Sequence, residues 1–85
     1  MITITKSFII TDKGRKAGVT CDEISKEVNR IACATEYDYY GQIHLYASSY
    51  FKDNNLVGVR ISADKECIID NFVKYMVEQG YLMED

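Results

Sequence analysis

Proline and tryptophan are absent from this 85-residue sequence and histidine occurs once. No apolar run approaches the roughly 18 residues that a membrane-spanning helix needs. The N-terminus lacks the charged-then-apolar order of a signal peptide, so the chain reads as cytoplasmic and without a membrane partner. The single His44 bears on chemistry, because a nucleophile needs a base within hydrogen-bond reach and no serine sits in a nucleophile-elbow setting. The three cysteines, Cys21, Cys33 and Cys67, contain no C-x-x-C and stand no closer than eleven residues to His44. Those spacings do not fit a metal site, and an odd number suggests reduced thiols. Cys21 opens a predicted helix, where thiol acidity rises, but the preferred reading is a small, partly buried side chain. The expectation is a protein without catalytic residues, metal or cofactor.

What the sequence does contain is a globular balance, 47% hydrophobic and 27% charged residues, enough for one domain over 1–85. Its formal charge is −3, unevenly placed. Residues 1–16 hold four bases against one acid, and residues 17–85 hold six bases against twelve acids. Phosphate affinity along a duplex needs a broad cationic face, so an acidic body with a basic edge favours a protein partner. The basic stretch Lys13, Arg15 and Lys16 leaves a local nucleic-acid contact open. Its two glycines, Gly14 and Gly18, are not followed by the Lys-Ser/Thr of a phosphate loop.

Along the chain, residues 2–11 alternate, with Ile2, Ile4, Phe8 and Ile10 on one face and only Lys6 interrupting it. Period two predicts a strand with one buried face, followed by a loop over 12–18. Thr20 and Glu23 have capping-box spacing, and Ile24, Val28 and Ile31 make the stripe of an amphipathic helix running to about Ala34. Asp22 and Lys26 are expected to pair on its surface. Residues 42–51 and 56–62 alternate as two strands of a hairpin. A three-residue loop, Asp53-Asn54-Asn55, keeps one apolar face whole and pairs Ala47 with Ile61 and Phe51 with Val57. Ser62 is read as the cap of a last helix with Ile68, Ile69, Phe72, Val73 and Met76 on its apolar side and Gly80 ending it. Residues 81–85 are a tail folding back. The expected architecture is α+β, a two-layer β-α-β-β-α sandwich whose three-stranded sheet carries two helices on one face.

The outer sheet face then carries Tyr46, Tyr50 and Arg60, near Tyr39, Tyr40 and His44. Tyrosine and arginine anchor protein interfaces because they bury large area with few rotors. The expected function is a non-catalytic protein-binding modulator, an inhibitor or regulator acting through this face, through the acidic last helix, or through both. The second reading is a small RNA- or single-strand-binding protein, with tyrosines stacking bases and Lys13, Arg15 and Lys16 holding phosphates. A homodimer would be another use of the same tyrosines.

The length, the β-α-β-β-α order, the Ser62-Ala63-Asp64-Lys65-Glu66 stretch after the third strand and the acidic last helix resemble the DinI family of RecA modulators. In that family a negatively charged last helix contacts the recombinase filament. The resemblance implies Glu66, Asp70 and Glu78 as contacts and a nucleic-acid-handling enzyme as partner. Lys65, Lys74 and the tyrosine-rich middle depart from the family pattern. The proline-free composition, rich in lysine, asparagine and tyrosine, also suits a small accessory protein of a virus infecting bacteria.

Overall fold

The computed structural model describes residues 3–34 and 45–85. In chain order the elements are β1 (Ile4–Ile10), α1 (Asp12–Lys16), α2 (Cys21–Ala34), β2 (Leu45–Lys52), β3 (Asn55–Ala63), α3 (Glu66–Glu78) and β4 (Leu82–Glu84). The class is α+β as expected, but the three-stranded sheet with two helices is corrected. Among the described residues the sheet has four antiparallel strands in the order β2-β3-β1-β4, and there are three helices. The fourth strand comes from the tail, where Leu82, Met83 and Glu84 pair with Ile10, Ile9 and Phe8. The third helix, α1, occupies the expected loop: Thr11 caps it, its Oγ1 accepting from the Gly14 N–H at 3.1 Å.

One sheet face is covered by α2 and α3. Phe8, Ile10, Leu45, Val59, Ile61, Ala63 and Leu82 from the strands meet Cys21, Ile24 and Val28 from α2 and Ile69 and Val73 from α3. These positions follow the period-two and helical stripes of the sequence, with Ile68, Phe72 and Met76 packed half-buried at the margin. The side chain of Ile31 lies outside the described residues. Thr20 caps α2 as expected, accepting from the Glu23 N–H at 3.1 Å. Lys26 faces Glu23 at 3.9 Å rather than the expected Asp22. Ser62 does not cap α3. It belongs to β3, is buried, and shares a hydrogen bond with Thr5 at 2.9 Å, while Lys65 stands at the cap position without a side-chain bond.

Gly80 ends α3 as expected. At φ 77° it allows Gly80 N–H to reach the Val77 carbonyl at 3.0 Å and Tyr81 N–H the Met76 carbonyl at 2.8 Å, a pattern that releases the chain into β4. The hairpin is partly corrected. Leu45 to Tyr50 keep the expected register, including Ala47 opposite Ile61, but Phe51 pairs with Leu56. The loop is the two-residue turn Asp53-Asn54, both with positive φ, and Val57 is left as the extra residue of a bulge. The turn matches strand twist, and the bulge restores the register that a two-residue turn would have lost. Phe51, expected on the buried face, is 56% exposed beyond the helices.

Candidate protein-binding surfaces

The uncovered sheet face holds three of the expected interface residues in unlike settings. Tyr46 is 54% exposed and Arg60 is exposed beside it, but Tyr50 is only 8% exposed. Its hydroxyl donates to the Asp85 carboxylate, which also accepts from Lys52 Nζ, and the Arg60 guanidinium lies 4.9 Å from its ring centroid. A phenol bonded in this way to a carboxylate is held above its ordinary pKa, and Asp85, bonded to Tyr50 and Lys52, below its own. Tyr50 is therefore a strut of the sheet and not an available ring. Gly58 lies next to it in register, and a β carbon there would stand 1.8 Å from the Phe8 carbonyl oxygen. Tyr39, Tyr40 and His44 lie outside the described residues.

The exposed α3 carboxylates divide as well. Lys6, the residue that interrupts the apolar face of β1, sends its ammonium under α3 to Glu66 and Asp70, both at 2.8 Å, with Glu84 of β4 at 3.8 Å. Hydrogen bonds to Asp70 and Glu66 hold the Lys6 ammonium protonated well above its ordinary pKa. Glu78, in the last turn of α3, has no ion-pair partner among the described residues.

Between α3 and β4 runs a groove of about 360 Å³. Phe8, Val73 and Val77 supply its apolar lining, and Asp70, Glu78, Glu84, Asn71 and Lys74 complete its walls. Val77 is 42% exposed there. An apolar floor inside a polar rim is the usual anatomy of a binding patch. Asp70 and Glu78 are legible in the sequence as acidic residues of α3, but the groove is not, because its other wall is the three-residue strand β4. The alternation of Leu82, Met83 and Glu84 after the helix-ending Gly80 was the only sign of it.

Lys13, Arg15 and Lys16 are exposed on α1, next to the end of β1 that holds Ile10. Tyr46 pairs with Ser62, which pairs with Thr5 at the opposite end of β1. The basic trio and Tyr46, the one exposed tyrosine among the described strand residues, are thus not brought together. Arg15 instead lines a second groove of about 340 Å³ with Val19, Thr20, Cys21, Leu56 and Val57. Cys21 is buried at the start of α2, its sulfur 3.5 Å from Ser49 Oγ, whereas Cys67 is exposed. Among the described residues no cluster of histidine, cysteine or acidic side chains is arranged to hold a metal, and no helix is long and apolar enough to cross a membrane. The chain matches no protein-family model, no curated protein and no solved structure.

Proposed function

We propose that this chain is a small non-catalytic modulator that binds a partner protein through the groove between α3 and β4. The observation that carries the reading is the groove's apolar lining, exposed Val77 over the buried Phe8 and Val73, set among the carboxylates of Asp70, Glu78 and Glu84. An apolar floor supplies affinity and charged walls supply orientation and rate. An acidic wall also imitates nucleic acid to a basic surface, which fits a nucleic-acid-handling enzyme as partner, in line with the DinI-family resemblance. Glu78 is the most available of the three carboxylates that resemblance implies, since Lys6 engages Glu66 and Asp70. The single-strand-binding reading draws on exposed Lys13, Arg15 and Lys16 but has lost Tyr50 as a stacking ring.

Affinity capture with mass spectrometry, run in parallel on the natural sequence, Val77→Asp and Tyr46→Ala, tests the proposal. Species retained by the natural sequence should vanish with Val77→Asp and persist with Tyr46→Ala. The opposite pattern would move the interface to the open sheet face.

A further inference from the structure

The groove lies against an unfilled sheet edge. Asp85 N–H donates to the Ser7 carbonyl and Thr11 N–H to the Tyr81 carbonyl, each at 3.0 Å. In an antiparallel ladder the bonded residues alternate, so positions 81, 83 and 85 face β1. The amides and carbonyls of Leu82 and Glu84 therefore point outward, and no described strand pairs with them. Free edge groups of this kind are a template for an added strand. Side chains of a strand set against β4 and lying opposite Leu82 and Glu84 would share their face. That is the face of the groove, whose lining includes Glu84 itself.

Resting on the groove reading above, we infer that the occupant is an extended partner segment, apolar in the middle and basic at both ends, paired as a fifth strand on β4. Its central inward side chains meet the apolar lining of the groove, where Val77 is exposed above the buried Phe8 and Val73, and its basic ends meet the carboxylates. Glu66, Asp70, Glu78 and Glu84 stand at or beside the groove against Lys6 and Lys74, an excess of two negative charges. That excess selects a cationic segment. It also disfavours a second copy of this chain, since pairing β4 with β4 would bring the Glu84 and Glu78 carboxylates of two acidic molecules together.

The probe is a capped Lys-Thr-Val-Thr-Val-Thr-Lys peptide, whose lysines and valines share one face when extended. Binding is measured by titration calorimetry on the natural chain, Glu84→Gln, Glu84→Pro and Val77→Asp. The Glu84→Gln change removes the charge, whereas Glu84→Pro also removes the outward N–H without touching the ladder to β1. The expected result is a further loss of at least about tenfold from Glu84→Gln to Glu84→Pro. The peptide with glutamates in place of its lysines should not bind. Equal binding by Glu84→Gln and Glu84→Pro, with loss only in Val77→Asp, would overturn strand addition and leave the groove reading standing. No binding to the natural chain would overturn the partner chemistry, and capture unaffected by Val77→Asp would overturn the groove reading itself. A dimer in sedimentation that Glu84→Pro dissolves would replace the partner with a second copy. If circular dichroism shows Glu84→Pro unfolded, two probes methylated on alternate backbone nitrogens decide on the natural chain. Full binding by both phases overturns pairing, and loss in one phase supports it.

Discussion

The Tyr50 hydroxyl, on one edge strand, donates to the carboxylate of Asp85, just past the opposite edge strand. Gly58 and Ile9 occupy the intervening register positions. The bond ties the chain end to β2 across the uncovered face, with Lys52 as a second donor to the same carboxylate.

The first prediction concerns pH. Asp85 titrates below its ordinary range in the folded state because Tyr50 and Lys52 donate to it, so its stabilisation is present above the unfolded carboxylate pKa and is lost as pH falls through the folded one. Tyr50 titrates above its ordinary value, so its contribution is present below the unfolded phenol pKa and is lost as pH rises through the folded one. Tyr50→Phe should therefore lower the thermal midpoint at neutral pH, and the gap from the natural sequence should narrow in acid. Midpoints measured across the pH range check this, and parallel curves would refute the latch.

Lys6 provides the second. It is a cation beneath α3 shared by three carboxylates from two elements. Lys6→Ala leaves Glu66, Asp70 and Glu84 facing one another and should lower the thermal midpoint in dilute buffer. Much of that loss should return in molar salt, where the screening length drops to about 3 Å. A loss independent of salt would mean that Lys6 acts by packing its stem and not by its charge.

Gly58 provides the third. A β carbon there would lie 1.8 Å from the backbone oxygen of Phe8, and backbone cannot step aside as a flexible side-chain tip can. Gly58→Ala should cost about 3 kcal/mol or more, at or beyond the upper end of ordinary overpacking. Urea unfolding measures it, and a cost under about 1 kcal/mol would show that the bulge at Val57 relaxes freely.

The fourth prediction grades the core. Phe8 is fully buried between β3 and β4, whereas Phe72 is only half-buried at the margin of α3. Phe8→Ala should cost about 3–5 kcal/mol and Phe72→Ala about 1–2 kcal/mol, because the cost follows the contacts and cavity left behind. Urea midpoints of the two variants in the reverse order would refute this account of helix packing.

Much of this arrangement was legible in residues that act locally. Thr20 needs only the amide three residues on, Gly80 only the helix it ends, and the Ala47–Ile61 register only the alternation around one turn. The misses are non-local or short. Three residues of β4 cannot show a convincing period of two, and they pair with a strand near the other end of the sequence. Lys6 stood out as a break in an apolar face, but its partners emerge only when α3 and β4 are placed beside β1. The groove depends on the same placement, so its acidic wall was readable and its cavity was not.

The last prediction separates the two functional readings. If stacking on the open face mattered, Tyr46 would have to carry it among the described tyrosines of that face, since Tyr50 is locked to Asp85. The phosphates would have to reach exposed Lys13, Arg15 and Lys16 at the opposite end of β1. A short single-stranded oligonucleotide should therefore bind weakly in low salt, and Tyr46→Ala should change its affinity by less than about twofold, against the roughly 1–3 kcal/mol that a stacking aromatic contributes. Fluorescence anisotropy at several salt concentrations measures both the affinity and the number of phosphates engaged. Tight binding that falls steeply with salt, and falls again on Tyr46→Ala or on reversing the charges of Lys13 and Lys16, would establish nucleic acid as the ligand of this fold.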